Sequence, residues 1–321
     1  KHLDTPITIS YNNRQLKKET DNMAVMSAID KLLNAKKTGV VCDLRGQKFL
    51  FYGDNGTGKT TQATAFPNSA LLMIESGGSA LEAYKFPINT WADFVTWVGG
   101  FTDDSDPEKF AQLQEMYKTI VVDTLPRLEN LAKKQVCKEY GVRDVSELTG
   151  KVNGYVLYRE KVNDMANILA SKGYTVIFIT HRDSEDVVDP VTGQVTKYYF
   201  PKGSEKENGC SKFIRDLCDF VFYIKGNKVD PETGKPFRST AVTRETEYCF
   251  AKTRYNLPTF MPFEADIMVE TMLDCMKKQA ESNKSNVAEF KVLDSMFTVE
   301  DYKGKIENAV RKLATMYSSE I

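Results

Sequence analysis

The chain has 321 residues, 41% of them hydrophobic and 27% charged, and 43 Lys+Arg against 44 Asp+Glu leave a formal net charge of −1. That is long for one compact domain, short for three, and excludes a generally basic nucleic-acid coat, leaving room only for a local basic track. With two histidines, His2 and His181, a three-His zinc site is excluded, and any Ser-His-Asp or Cys-His chemistry would have to use His181.

Cys42, Cys137, Cys210, Cys218, Cys249 and Cys275 contain no C-x-x-C pair, so reduced, buried thiols are expected. No apolar run approaches the roughly 18 residues of a membrane span, and no signal-peptide core follows Lys1. The start at Lys1 rather than Met reads as trimming, and a reducing cytoplasm is the expected compartment.

In chain order, residues 1–22 read as a polar arm. Val25, Met26, Ile29, Leu32 and Leu33 then recur at helical spacing within Met23–Lys36, and Gly39 stops that helix. Two short β-type runs flank Arg45-Gly46, the second being Lys48–Tyr52. Ala70–Ile74 reads as a buried strand, Thr90 as the cap of a helix carrying Trp91, Phe94 and Trp97, and Asp106-Pro107 as a second helix start. Strands follow at Thr119–Val122, Thr175–Thr180 and Asp219–Ile224, with helices over 126–140 and 155–171. Continuous β-branched runs separated by helices require a parallel sheet covered on both faces. Turns are expected at 188–193 and 229–234. Beyond Pro262 the pattern is helical at Glu264–Lys278 and again at Thr298–Tyr317, where Thr298 and Asp301 form a cap signature. The expected organisation is an N-terminal arm and helix over 1–39, an α/β core over 40–262 and a C-terminal helical extension over 263–321.

Gly53-Asp54-Asn55-Gly56-Thr57-Gly58-Lys59-Thr60 fits the phosphate-loop pattern G-x-x-x-x-G-K-[ST] without a mismatch, between a strand and a helical segment, Thr60–Phe66. The glycines let backbone N–H groups turn inward around phosphate oxygens, and the helix start presents its positive end to the same anion. Lys59 would reach the β- and γ-phosphates, Thr60 would ligate Mg²⁺ and Thr61 would complete the nucleotide contacts. Asp123 ends an apolar strand at the edge where ligands bind in open α/β sheets, and is the expected second metal carboxylate; a helix N-cap is the alternative. Hydrolysis also needs a group that orients water. Thr124 follows Asp123, so the acid must come from elsewhere, and Glu75, at the end of the strand before Ser76-Gly77-Gly78, is the candidate ahead of Glu82.

In this order, Gly53–Thr60, Glu75–Gly78, Thr119–Asp123, Ile179-Thr180-His181 and Ala251-Lys252-Thr253-Arg254 resemble the motifs of RecA-like P-loop ATPases over roughly residues 45–262. The likeness is greatest to phage-encoded members associated with single-strand DNA recombination or annealing. It departs from the family pattern at one place, where a gapless reading on the double glycine puts Ser76 at the usual Glu position. The resemblance implies a RecA-like core with a twisted, mainly parallel sheet, ATP and Mg²⁺ as cofactors, and a bacterial host cytoplasm. It implies a γ-phosphate sensor at His181, with Thr180 beside it. It implies single-stranded DNA contact by the long segment Arg182–Ser211, where Lys197, Tyr198, Tyr199, Phe200, Lys202 and Lys206 would combine backbone contact with stacking. Asp183, Glu185, Asp186, Asp189, Glu205 and Glu207 lie in the same segment, and a surface hairpin without nucleic acid is the other reading. Lys252 and Arg254, alternating on an expected strand Tyr248–Arg254, would reach the ATP of a neighbouring subunit, which implies a homo-oligomer, filament or ring. A ring-forming helicase-like motor and a nucleotide-gated regulatory module with little turnover are the alternatives.

Overall fold

The computed structural model describes residues 37–75, 81–148, 152–204, 209–227 and 238–290, with a few isolated positions besides. The expected arm and first helix, the helix at 298–317 and most of the 229–234 turn lie outside the described residues.

The first strands are β1 (Val40–Val41) and β2 (Lys48–Gly53), and β2 passes through the phosphate-loop sequence into α1 (Lys59–Thr64). There follow β3 (Ser69–Met73), β4 (Tyr84–Pro87), α2 (Trp91–Thr102), α3 (Pro107–Met116), β5 (Thr119–Asp123), α4 (Leu125–Tyr140) and α5 (Gly154–Ser171). The chain continues with β6 (Thr175–Val188), β7 (Val195–Pro201), α6 (Cys210–Leu217), β8 (Phe220–Lys225), β9 (Thr240–Val242), β10 (Phe260–Pro262), α7 (Ala265–Ser282) and β11 (Val287–Ala288). Local chemistry sets several starts. The Thr90 hydroxyl accepts from the Asp93 amide while the Asp93 carboxylate accepts from the Thr90 amide, closing a capping box on α2. Asp106 caps α3 ahead of Pro107.

The main sheet runs β10-β9-β8-β2-β6-β5-β3-β4, with β7 paired to the outer part of β6. From β8 to β4 every pairing is parallel, while β9 and β10 add an antiparallel edge. Strand β4 has no counterpart among the expected elements. Its four residues are half-buried or exposed, so they lack the apolar run that marks its neighbours.

Alternation along the strands divides the core in two. Leu50, Tyr52, Ile120, Val122, Val176 and Phe178 face α2, α4, α5 and α6, where Phe94, Leu128, Val162 and Ile214 meet them. Phe49, Phe51, Val121, Ile177, Ile179 and Phe222 face α1 and α7. On α7, Ala265, Met268, Met272, Met276 and Ala280 are buried at helical spacing, the first four of them in the cluster that covers this second face. The boundary expected at 262 therefore does not separate α7 from the core: without it the phenylalanines of β2 and β8 would face water. Met272 is fully buried, so Met272→Ala should lower unfolding free energy by about 2–5 kcal/mol in a denaturant titration; an unchanged midpoint would place α7 outside the cooperative core.

Candidate active site

Parallel register brings the functional residues to one edge. Gly53 pairs with His181 on one side and with Ile224 on the other. Across β5, Asp123 pairs with Met73 and with Ile179. Gly53 is required by space, because a Cβ there would lie 2.3 Å from the Ile224 carbonyl oxygen. Beyond it, Gly56 (φ 76°) and Gly58 (φ 81°) take left-handed conformations that side chains disfavour. The loop closes on itself. The buried Lys59 donates through Nζ to the carbonyls of Gly53 (3.0 Å) and Asp54 (2.6 Å), and the Thr57 hydroxyl donates to the Asp54 carbonyl at 2.9 Å. Burial pushes the Lys59 ammonium down from 10.5 to about 8, against the opposing pull of Asp123 and Asp54. Asp54, Asn55 and Gly56 form the exposed rim, and Thr61 is exposed in the first turn of α1.

Thr60 Oγ1 donates to Asp123 Oδ2 at 2.6 Å, joining the expected metal residues directly. Burial raises the Asp123 carboxyl above the usual carboxylate range; the Thr60 hydrogen bond and Lys59 pull it back. Glu75 lies against the same point. Its amide donates to the Asp123 carbonyl at 3.2 Å, and its carboxylate accepts from Thr124 Oγ1 at 3.2 Å. Thr124 is buried and thus holds the carboxylate from the position after the metal aspartate, a role the sequence reading did not assign it. Ser76 lies outside the described residues, and Glu82 is exposed.

Strand β6 does not end at Thr180. It continues through His181 to Val188 and pairs with β7 from Arg182↔Pro201 to Val188↔Val195. His181 thus sits where the strand leaves the sheet. Burial lowers its pKa and the nearby Lys59 charge acts in the same direction, against the opposing pull of Glu75 and Asp123. Thr180 is fully buried, with the parity of Phe178 rather than of Ile179, and its Oγ1 has no partner among the described residues. Its hydroxyl therefore lies on the α4–α5 side of the sheet, opposite the side that carries α1 and Lys59.

The long loop expected at Arg182–Ser211 is a β-ribbon followed by α6, and its aromatic residues are already engaged. Phe200 is buried, Tyr199 stacks on Tyr223 with centroids 5.5 Å apart, and Tyr198 donates to Glu245 at 2.6 Å. Lys197 stands opposite Asp186, and Lys206 lies outside the described residues. The exposed ribbon end carries Val187, Val188, Val191 and Val195 instead.

Tyr248–Arg254 is not a strand. Within it, Cys249 makes isolated bridges with Thr246 and Tyr199, and Lys252 bridges to Val221. Lys252 Nζ donates to the Asp216 carbonyl at 2.8 Å, and Arg254 pairs with Asp219 at 2.6 Å. Asp219 is five residues before Ile224, the partner of Gly53, which is roughly 16 Å along a strand. Lys252 and Arg254 therefore sit at the opposite sheet edge and do not join the phosphate loop of their own chain.

The donor set suits Mg²⁺: one hydroxyl and one carboxylate oxygen in contact, beside a loop shaped for phosphates that would supply further oxygens. Among the described residues no group of three or more His, Cys, Asp or Glu could hold a metal ion by itself. No helix among them is long and apolar enough to cross a membrane.

A parallel sheet whose central strand β2 feeds a phosphate loop, with an aspartate from β5, one strand removed across β6, at the loop's threonine, defines a RecA-like P-loop NTPase fold. The model of an AAA domain family matches residues 45–255, and the chain belongs to that family. The SPbeta prophage-derived uncharacterized protein YorG of Bacillus subtilis (strain 168) is 31% identical over 261 residues, covering 79% of this chain and 74% of that protein. The crystal structure of the RadB recombinase covers 67% of this chain and 84% of that one at 14% identity, with a TM-score of 0.31, too low to add to what the strand order shows.

Because Lys59 releases its proton near pH 8 and binds phosphate only when charged, affinity for an ATP analogue should fall as pH rises above 8. One-proton linkage sets the slope at about tenfold per pH unit, until the pKa in the complex is passed. Calorimetric titration from pH 7 to 9.5 reads this directly, and a flat profile would contradict the buried-lysine account.

Proposed function

We propose that the protein hydrolyses ATP with Mg²⁺ and does so as an oligomer acting on single-stranded DNA. The observation that carries the ATPase part is the 2.6 Å contact of Thr60 with Asp123 beside Lys59, with Glu75 held next to it by Thr124. In this reading Lys59 and the loop amides bind the phosphates, and Thr60 and Asp123 hold Mg²⁺, which when bound neutralises phosphate charge. Glu75 orients the attacking water, and His181 donates a hydrogen bond to the terminal phosphate. Positioning and charge neutralisation account for most of the rate enhancement.

Lys252 and Arg254 act in trans, because the opposite sheet edge is out of reach of their own loop. The 60% exposure of the Arg254 side chain supports a role toward a neighbouring subunit. The DNA part is supported by a cavity of about 480 Å³ beyond the end of β3, where Arg127, Lys133, Lys134 and Arg143 meet one acid, Asp144. Its three exposed cations converge from α4 and the turn after it in a chain of net charge −1. This cleft suits phosphate oxygens better than the ribbon, whose rings are taken. The prophage origin in the name of the 31%-identical relative fits a phage setting.

Steady-state hydrolysis with and without single-stranded DNA tests the reading. Lys59→Ala should abolish turnover. Glu75→Gln should lower kcat by about 10²–10⁴ while ATP still binds. Arg127→Ala with Arg143→Ala should weaken DNA binding and flatten its salt dependence. Full turnover in Lys59→Ala would refute the site; turnover indifferent to DNA at low salt would refute the DNA part alone.

A further inference from the structure

Consecutive residues of a strand point to opposite faces. In β6, Ile177 and Ile179 face α1, whereas Val176 and Phe178 face α4 and α5. His181 continues the first series and Arg182 the second. The parity is borne out by their surroundings: His181 feels Lys59, Glu75 and Asp123, while Arg182 lies over the Tyr199 ring at 4.4 Å. Tyr199 in turn stacks on Tyr223, part of the α4–α5 core, and its carbonyl accepts from the buried Tyr52 hydroxyl at 3.2 Å. Arg182 therefore has a rigid bed of rings beneath it.

What it holds is the phosphate loop. Arg182 Nε binds Asp54 Oδ1 at 2.7 Å. Asp54 is the loop residue whose carbonyl also receives Lys59 Nζ at 2.6 Å and the Thr57 hydroxyl at 2.9 Å. Two cations thus grip one residue, Arg182 by its carboxylate and Lys59 by its carbonyl. Lys59 must leave that carbonyl to reach a nucleotide's phosphates, while Arg182 holds the same residue by its carboxylate.

We propose that Arg182 is a positioning residue for nucleotide binding that ties the phosphate loop to the β6–β7 ribbon. This rests on the ATP-binding reading above and adds to it a residue and a coupling. Arg182 acts through Asp54 on the loop and through Tyr199 on β7, so occupation of the loop and the setting of the ribbon are linked. The linkage is reciprocal: a ligand that changes the ribbon changes nucleotide affinity by the same factor. His181 and Arg182 then read the same event from the two faces of one strand.

The test measures ATP turnover, and amide hydrogen exchange of residues 183–200 with and without a non-hydrolysable ATP analogue, in the wild-type chain, Arg182→Ala, Arg182→Lys and Asp54→Ala. Arg182→Ala should raise KM about 5- to 20-fold with kcat changed less than about threefold, the pattern of lost ground-state positioning. Arg182→Lys should recover part of that, keeping the charge without the planar fork that stacks on Tyr199. A double variant combining Arg182→Ala with Asp54→Ala should be no worse than Asp54→Ala alone, because both act through one contact. Nucleotide should alter ribbon exchange in the wild type and leave it unaltered in Arg182→Ala. Wild-type KM in Arg182→Ala, additive effects in the double variant, or a ribbon response to nucleotide in Arg182→Ala as large as in the wild type would each overturn the proposal. Lys59→Ala separates the two levels. If it loses the analogue while the wild type binds, the ATP reading stands and the Arg182 arms decide. If the wild type binds no analogue, that reading fails and this proposal falls with it.

Discussion

The site depends on one constraint, the fixed parallel register of β8, β2, β6, β5 and β3. That register ends five strands level, so that Gly53, His181, Ile224 and Asp123 share an edge. It is held by side chains that cannot exchange faces. Phe49 stacks on Phe220 with centroids 4.5 Å apart and Phe51 on Phe222 at 6.0 Å, both on the α7 side. A one-residue slip of β2 would send these rings into the opposite layer and move the loop away from Asp123. The 2.3 Å approach at Gly53 follows from the same register: the strand that feeds the loop has no room for a side chain where it passes Ile224.

Against this rigid frame the site itself is costly. Lys59 is buried with a depressed pKa, and the half-buried Asp123 has a raised one. Each is desolvated, and each gains only part of the compensation an ion pair in contact would give. The loop satisfies Lys59 with its own carbonyls instead. Such an arrangement is stable only because the two hydrophobic layers over-determine the backbone around it. It also leaves the ammonium ready to exchange carbonyl oxygens for phosphate oxygens, which bind it more strongly.

Legibility in the sequence followed residue chemistry. The phosphate loop could be read because four of its positions, Gly53, Gly58, Lys59 and Thr60, demand particular residue types, and Asp123 because it ends the strand Thr119-Ile120-Val121-Val122. Buried strands were readable for the same reason. Strand β4 was not, since Tyr84–Pro87 is at the sheet edge and half-exposed. Nor was the outer half of β6: Arg182-Asp183-Ser184-Glu185-Asp186 has no apolar face, because both faces of the ribbon there meet solvent or β7, and such a run reads as loop. The opposite error occurred at Tyr248–Arg254, whose alternation suggested a strand while the backbone makes only isolated bridges. Contacts between distant residues stayed out of reach altogether. That Thr124 would hold Glu75, and Arg182 would hold Asp54, depends on register across strands far apart in sequence. The amphipathic helix expected at Glu264–Lys278 forms as Ala265–Ser282, but periodicity alone does not say which surface an apolar stripe covers.

The most direct test is a crystal structure with Mg²⁺ and a non-hydrolysable ATP analogue. It should show the triphosphate against the amides of residues 56–60, Lys59 Nζ moved from the carbonyls of Gly53 and Asp54 onto phosphate oxygens, and the Glu75 carboxylate facing the terminal phosphate. Nucleotide bound elsewhere, or Lys59 still on both carbonyls with the nucleotide in place, would contradict the account.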